Sequence, residues 1–318
     1  MRVALRNRST SADWPELPWE AWSDTATTLH LWTQVIGKIR LVQTPWINHS
    51  WHVALYPTAR GLTTSPLAFD GDTAELSFDL IDHQLLIQVS DGRERHLSLR
   101  DRSVADFYHA VLDNLRQLGL PCDIHSVPSE IAEAIPFEED HEHHRYDPEY
   151  ANRFLRVLLQ VHRVFTEFRA GFTGKVSPVH FFWGSFDLAV TRFTGRAAPT
   201  HPGGVPNFPD WVAAEAYSHE VSSAGFWPGG GGTDFPAFYS YAYPAPDGFA
   251  NGAVEPADAY WSKELGEYVL PYDSVRNAAS PDDCLLDFLE TTYALASDKG
   301  GWPRAEIERP PGGFEPLR

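Results

Sequence analysis

Apolar side chains recur with helical spacing in four stretches of the chain. Leu29, Trp32 and Ile36 follow an i, i+3, i+7 pattern, and Gly37 predicts the end of that helix. Two of the other stretches begin with a capping residue followed by a proline at the first helical position. The predicted helices lie at residues 24–36, at 104–118 after the capping box Ser103-x-x-Asp106, from Asp147-Pro148 onwards, and at 281–297.

Alternation of apolar and polar residues predicts strands between these helices. Residues 74–80 alternate cleanly, and two further strands at 84–90 and 93–99 flank Asp91-Gly92, which supplies the positive φ values of a tight hairpin. Residues 49–56 also alternate, which puts His49 and Trp51 on one face and His52 on the other. Later in the chain the predicted strands lie at 178–193, 217–226, 236–243 and 266–272.

The order helix, strands, helix therefore occurs twice. The connections between strands are often too short for crossover helices, so we predict an α+β protein with two fused halves, each a helix, a mainly antiparallel sheet and a helix. The repeat is compatible with an internal structural duplication, in which Trp51 and Trp183 take equivalent strand positions, or with two α+β domains that share an order. The predicted parts are an N-terminal extension at 1–18, a first half at 19–120, an acidic, histidine-rich linker at 121–147, a second half at 148–300 and a C-terminal tail at 301–318.

The charge of the chain argues against two classes of partner. Its 318 residues carry 25 Lys and Arg against 43 Asp and Glu, a formal net charge of −18. This charge repels phosphate backbones and anionic membranes, so we expect neither nucleic-acid nor membrane binding. The apolar stretch near the start covers only Val3 to Leu5, and no apolar run approaches 18 residues, so we expect neither a signal peptide nor a membrane span. With only Cys122 and Cys284 there is no disulfide framework, and a cytoplasmic location is expected.

Several motifs with defined chemistry are missing from the sequence. The PGGGG run at 228–232 is followed by no lysine and is interpreted as a hairpin turn, and no dinucleotide fingerprint, nucleophile elbow or zinc-binding helix occurs. The densest group of metal-ligand types is His141, His143 and His144 beside three acidic residues. These histidines lie in the predicted linker, where we expect solvated side chains without the scaffold that a metal site needs. No metal and no cofactor are assigned.

Aromatic residues give the clearest indication of a binding face. The sequence FYSYAY at 238–243 places Tyr239 and Tyr241 on one face of a strand, and Trp183 and Trp227 are expected nearby in the same sheet. Apolar rings with polar tips are typical of small-molecule sites, and a tyrosine-rich core would share the pattern. His52, in the first half, is a further candidate for a pocket lining. We assign ligand binding to these five residues.

Histidine and glutamate side chains near this face are candidates for acid–base chemistry. His219 and Glu220 are adjacent in a predicted strand, so they point to opposite faces and only one of them lines a pocket. We favour His219, because imidazole changes its charge near neutral pH. His180 begins another predicted strand and is the third candidate catalytic residue. Each of the three would otherwise be a hydrogen-bonded polar group in the core.

Five long stretches of the chain have specific sequences, namely WINHSWHVALYPTARGLTTSPL, SPVHFFWGSFDLAVTRFTGR, HPGGVPNFPD, EAYSHEVSSAGFWPGG and FYSYAYP. They resemble a bacterial family of conserved hypothetical proteins, the domain-of-unknown-function family 5996, over roughly residues 14–300. The resemblance implies a soluble, intracellular bacterial protein of one architecture. It implies no particular reaction, cofactor or catalytic residue.

The sequence therefore predicts a soluble enzyme that acts on a small polar or aromatic metabolite in a His-, Glu- and Tyr-lined pocket of the second half. In this pocket His219 or Glu220 would move protons, while Tyr239 and Tyr241 would orient the ligand. The alternative is a non-catalytic protein that uses the same aromatic face to bind a small ligand or a partner protein. A buried histidine beside a carboxylate in a closed concavity favours the enzyme, and a shallow exposed face favours the alternative.

Overall fold

A computed structural model of the protein describes residues 9–230 and 232–310. Its first half consists of a long helix, a six-stranded sheet and a second helix. These elements are α1 (Trp19–Gln43), β1 (Tyr56–Thr58), β2 (Gly61–Thr63), β3 (Leu67–Phe69), β4 (Asp72–Asp79), β5 (Gln84–Val89), β6 (Glu94–Ser98) and α2 (Val104–Gln117).

The second half repeats this order with longer strands and extra short helices. Its elements are α3 (Pro148–Ala170), β7 (His180–Phe182), β8 (Asp187–Ala197), α4 (Asp210–Ala216), β9 (His219–Trp227), β10 (Ala237–Tyr243), β11 (Tyr260–Ser262), β12 (Glu267–Pro271), α5 (Tyr272–Arg276), α6 (Pro281–Lys299) and α7 (Arg304–Ile307). Of the helices in the described ranges, none combines the length and the apolar character needed to cross a membrane.

Both sheets are antiparallel, and in each of them most neighbouring strands follow one another in the chain. The first sheet has the order β1-β2-β4-β5-β6, with β3 paired to β4, and the second has the order β11-β12-β10-β9-β8-β7. Short connections dictate this arrangement, because hairpins join antiparallel strands and parallel strands need long crossovers. The predicted α+β class, with a helix, an antiparallel sheet and a helix in each half, is confirmed.

Local capping signals set the starts of α2 and α3 where the sequence predicted them. The predicted helix end at Gly37 was wrong, because α1 continues through it to Gln43. The Ser103 side chain accepts a hydrogen bond from the Asp106 backbone N–H and completes a capping box at α2. Asp147 accepts from two backbone N–H groups at the start of α3, just before Pro148. Gly92, with φ +95°, closes the predicted hairpin between β5 and β6. Each of these signals involves only neighbours in sequence.

Two strand predictions were wrong because residues other than glycine adopt left-handed backbone conformations and turn the chain. Residues 49–56 do not form a strand, since His49 and Ser50 both adopt left-handed backbone conformations, with φ 60° and 57°. The single strand predicted at 178–193 is a hairpin of β7 and β8, with Phe186 at φ 56° in its turn. Positive φ is uncommon for residues with a side chain, so the sequence does not mark His49, Ser50 or Phe186 as positions where the chain turns.

Trp51 and Trp183 do not occupy equivalent strand positions, because both lie outside the strands. Trp183 instead connects the two halves: its Nε1–H donates to the Val53 carbonyl at 2.8 Å, and its ring packs where Gly37 of α1 has no side chain. The two sheets also meet through backbone hydrogen bonds of 2.8 Å in both directions between Leu55 and Phe181. The halves therefore share one continuous core.

The predicted linker packs against both halves and is not a solvated segment. The Phe137 ring is fully buried and Asp140 is 1% exposed. Asp140 accepts a hydrogen bond from His143 Nδ1 at 2.8 Å, and backbone carbonyls of this run accept hydrogen bonds from the first N–H groups of α2. His141 and His144 are exposed as predicted. The linker thus completes the N-terminal end of a helix.

The described residues near both chain ends pack against the rest of the protein. Trp14 and Leu17 of the predicted N-terminal extension are buried, and Glu308 of the predicted tail forms a β-bridge with Phe172. Residues 1–8 and 311–318 lie outside the described residues.

Helices α3 and α6 cover one face of the second sheet. Arg192 of β8 points to this face, where its guanidinium lies 3.5 Å from the ring centre of Phe168 in α3 and 4.2 Å from that of Tyr293 in α6. Phe238 of β10 contacts Phe165 of α3 on the same side. The helices therefore occupy this side of the sheet, and the polar side chains described next lie on its other face.

Candidate functional site

The strand registers bring phenol, hydroxyl and carboxyl groups together on the sheet face opposite α3 and α6. Tyr239 of β10 lies opposite Gly225 of β9 and Val269 of β12, and Tyr241 lies opposite Ser223. Alternation places further polar groups of β8 and β12 on the same face. With two side chains from neighbouring segments, the carboxyl–phenol cluster comprises Glu130, Asp187, Tyr217, Tyr239, Tyr241 and Glu267.

Gly225 has no side chain, and this allows the Tyr239 side chain to lie across β9. A Cβ atom at position 225 would lie 2.2 Å from the Tyr239 hydroxyl, so only glycine leaves room for the phenol over β9. The hydroxyl thereby reaches β8 and donates a hydrogen bond to Asp187 Oδ2. Ser185 Oγ donates to the other oxygen, Oδ1, at 2.5 Å. Asp187 is 3% exposed, and these two donors hold its carboxyl group in one orientation.

A second phenol pair lies next to the first. The hydroxyl oxygens of Tyr241 and Tyr217 are 2.9 Å apart, and the rings of Tyr241 and Tyr239 stack with centres 6.1 Å apart. Tyr217 is the first residue after α4, and its ring stacks on that of His201 with the ring centres 4.6 Å apart. The ring centres of Trp227 and Tyr239 are 4.3 Å apart, so Trp227 extends the aromatic surface. The face therefore offers rings and hydroxyl groups side by side.

Two further carboxyl groups complete the cluster, and neither side chain has a hydrogen-bond partner within the described ranges. Glu130 belongs to the segment between the halves, has φ 63°, and packs its carboxyl group where a Cβ on Gly184 would come within 1.9 Å of Oε1. Its backbone N–H donates to the Pro206 carbonyl. Oε2 of Glu267 in β12 is buried and unpaired. The ionised form of each carboxyl group is therefore costly.

Burial raises the pKa values of all three carboxyl groups. The pKa of Asp187 rises to about 6, although the hydrogen bonds from Ser185 and Tyr239 act to lower it. The pKa of Glu130 rises to about 7 and that of Glu267 to about 8, because the charge of Asp187 adds to the burial. Among the described residues, no lysine or arginine offsets these effects at the three groups. Neighbouring acids with separated pKa values are typical of acid–base sites.

His219 and His180 share this sheet face but lie away from the cluster. His219 begins β9, with its ring 5.8 Å from that of His49 and Nδ1 3.1 Å from Ser218 Oγ. His180 is 1% exposed, and burial lowers its pKa to about 3, so the imidazole is neutral. Its Nδ1 has no hydrogen-bond partner within the described ranges. Neither histidine contacts the three carboxyl groups.

The remaining predicted site residues occupy other places. Glu220 points to the opposite sheet face, where it forms an ion pair of 2.6 Å with Arg196. His52 is buried in the turn before β1, with Nδ1 accepting from the Ile47 N–H at 3.2 Å. Trp183 lies between the halves, as described above. Of the predicted site residues, Tyr239, Tyr241 and Trp227 therefore lie in or beside the cluster.

Four members of the cluster were not among the site residues predicted from the sequence, namely Glu130, Asp187, Tyr217 and Glu267. A signal existed for Glu267, because it stands two residues before Val269 and hence on the same face of β12. Its neighbour Tyr268 points to the opposite face of β12, where it pairs with Ser240. Glu130 carries no signal, since only the fold brings its segment onto the second sheet.

The described residues contain no group of three or more His, Cys, Asp or Glu side chains arranged to hold a metal ion.

A comparison with protein families gives one match. The family is described as "Family of unknown function (DUF5996)", and its model covers residues 14–309 of the chain. No curated protein and no solved structure matches the chain.

Proposed function

The chain belongs to the DUF5996 family, and we propose that it is an enzyme that carries out acid–base chemistry on a small polar metabolite at the carboxyl–phenol cluster. In this proposal Asp187 is the general base, Glu267 is the general acid, and Tyr239 and Tyr241 orient the ligand. The same proposal includes a cytoplasmic location in a bacterium, in keeping with the unpaired Cys122 and Cys284.

The observation that carries this proposal is the convergence of buried carboxyl groups with phenols, with no arginine or lysine of the described ranges beside them. Structural buried acids are usually paired with arginine or lysine, because an unpaired buried charge is destabilising. Here the side-chain donors to Asp187 are Ser185 and Tyr239, and within the described ranges Oε2 of Glu267 accepts no hydrogen bond. An arrangement that costs stability and satisfies no structural need favours a functional role.

The two proton-transfer roles follow from the separated pKa values. At pH 7 Asp187, with a pKa of about 6, is mostly ionised and can accept a proton from the substrate. Glu267, with a pKa of about 8, is mostly protonated and can donate one. One proton leaves the substrate and one enters it, so the enzyme returns to its starting charge after exchange of protons with water.

The groups around the carboxyl pair favour a ligand that combines a polar edge with a flat or apolar surface. The hydroxyl groups of Tyr217 and Tyr241 form a hydrogen-bonded pair that can donate to or accept from ligand hydroxyl or amine groups. The ring of Trp227 beside Tyr239 provides a stacking surface. Sugars, amines and small aromatic acids have such combinations.

A binding screen followed by a turnover assay tests the proposal. Ligand-observed NMR with a panel of sugars, amino acids, amines and aromatic acids should give compounds that bind the wild-type chain. Tyr241→Phe should weaken their binding. Proton NMR of each mixture should then show product signals, and Asp187→Asn should slow their formation by about 10²-fold or more. Glu94→Gln, on an exposed position of β6 in the first half, is the matched control.

Three outcomes of this assay would contradict the proposal. They are the absence of binding across the panel, turnover by Asp187→Asn at the wild-type rate, and binding without any product. The last outcome supports the alternative function, a non-catalytic protein that binds a small ligand on the same face.

A further inference from the structure

A lysine and a histidine form a second reactive group, away from the carboxyl–phenol cluster. Lys175 lies between α3 and β7, and its Nζ is 2.6 Å from Nε2 of His49. Backbone pairing with β8 fixes the lysine, because the Phe193 N–H donates to the Lys175 carbonyl and Val176 forms a bridge with Arg192. The side chain of Lys175 remains accessible, since the residue is exposed.

The surroundings of His49 fix its tautomer. Nδ1 lies 2.8 Å from the Ala216 carbonyl oxygen, which only accepts hydrogen bonds, so Nδ1 carries the proton. Nε2 therefore presents its lone pair to Lys175. The Glu215 carboxylate accepts the His49 backbone N–H at 2.8 and 3.0 Å and holds this residue in its left-handed conformation. Strained backbone of this kind is concentrated at functional sites.

The ammonium group of Lys175 has aromatic neighbours and, among the residues that the structure describes, no direct carboxylate partner. Its Nζ lies 5.5 Å from the ring centre of Trp51 and 4.9 Å from that of Phe193. Burial lowers the pKa of Lys175, and the more distant charge of Glu215 opposes this effect. Burial also lowers the pKa of His49, which keeps its imidazole neutral as an acceptor. A lysine beside a base and an apolar wall is the usual arrangement for an amine nucleophile.

We propose that Lys175 is a nucleophile that forms an imine with the aldehyde or ketone group of a small carbonyl compound, with His49 as its base. His49 Nε2 accepts a proton from the Lys175 ammonium group, and the free amine attacks the carbonyl carbon. A C–N bond forms as the C=O π bond breaks, the carbonyl oxygen takes up a proton from water, and the nitrogen gives one proton to the hydroxide left behind, which yields a neutral carbinolamine.

The carbinolamine then loses its hydroxyl group as water, with the proton returned by His49, and the C=N bond forms as the nitrogen loses its remaining proton to solvent. The overall reaction is amine plus carbonyl compound to imine plus water. It requires no oxidant or reductant.

Reductive trapping tests the proposal directly in the wild-type chain. The chain is incubated at pH 7 with glyoxylate and sodium cyanoborohydride, digested, and analysed by mass spectrometry for alkylated lysines. The sequence contains four lysines, of which Lys263 and Lys299 are exposed and serve as internal controls. We expect Lys175 to be alkylated at least tenfold faster than either control.

Variants then test the role of His49. His49→Gln should lower the alkylation rate of Lys175 to that of Lys263 and leave the Lys263 rate unchanged, with circular dichroism as the check on folding. Lys175→Arg should keep the fold and the positive charge and lose the fast site entirely.

The proposal is overturned if Lys175 in the wild-type chain reacts no faster than Lys263, or if folded His49→Gln retains the fast rate. The wild-type comparison needs no variant, so a folding defect leaves it intact. Neither result depends on Asp187 or Glu267, which keeps this experiment separate from the test of the proposed function.

Discussion

Replacing Glu267 by glutamine should make the stability of the chain less sensitive to pH. In the folded chain the pKa of Glu267 is about 8, against a usual value of 4.5. Between these values the folded chain holds a proton that the unfolded chain has lost. Folding therefore takes up a proton, and raising the pH through this window destabilises the wild-type chain. A neutral glutamine has no proton to lose, so this contribution to the slope disappears.

The size of the effect follows from the same shift. One pKa unit corresponds to about 1.4 kcal/mol, so the change from 4.5 to about 8 sets an upper limit of about 5 kcal/mol on the stability lost above pH 8. The slope from this one group is at most about 1.4 kcal/mol per pH unit. Because the charge of Asp187 contributes to the shift, part of the effect should also disappear in Asp187→Asn.

Urea denaturation followed by tryptophan fluorescence at pH values from 5 to 9 measures this slope. The difference in unfolding free energy between Glu267→Gln and wild type should grow in favour of the variant as the pH rises. Glu94→Gln, at a position whose side chain is 56% exposed, should run parallel to the wild type. A Glu267→Gln curve parallel to the wild-type curve would refute the assignment of a buried, protonated Glu267.

Two further changes test the packing that supports the site. Gly37→Ala should destabilise the chain by about 1–3 kcal/mol in urea denaturation, because the new Cβ would lie 2.2 Å from the Trp183 ring. This overpacking outweighs the gain of about 1 kcal/mol in helix propensity. A variant as stable as the wild type, or more stable, would contradict the contact. Asp282→Asn should cost about 3–5 kcal/mol at pH 7, because Asp282 is 1% exposed and accepts two hydrogen bonds of 2.7 and 2.8 Å from Arg163. Burial acts to raise the pKa of Asp282, but the hydrogen bonds from Arg163 and Ser9 lower it below 3.8. The cost of the substitution should therefore shrink as the pH falls through that range. A cost that does not change with pH would contradict this prediction.

Sequence reasoning succeeded where the determinants are local. The caps at Ser103 and Asp147 act within three residues of their helix starts, and Gly92 closes a hairpin between neighbouring strands. The alternation in β10 correctly placed Tyr239 and Tyr241 on one face. Such patterns can be read along the chain because the interacting residues are close in sequence.

It failed where distant residues decide the local conformation. The left-handed turn at His49 is held by Glu215, which lies 166 residues further along the chain. The same holds for the site, since the carboxyl group of Glu130 reaches the second sheet through contacts with Gly184 and Pro206 that no local pattern encodes. A cluster assembled from separate segments becomes visible only when the segments have been placed.

The backbone pairing of Leu55 with Phe181 has a consequence for biosynthesis. Leu55 leaves the ribosome long before its partner, by roughly 6 to 25 seconds at about 5–20 residues per second. During this interval the first half can form its hairpins, but the edge at β1 has no strand to bind. Exposed edges of this kind pair readily with other chains. The nascent protein is therefore most open to intermolecular pairing until the segment that carries Phe181 has emerged and closed that edge.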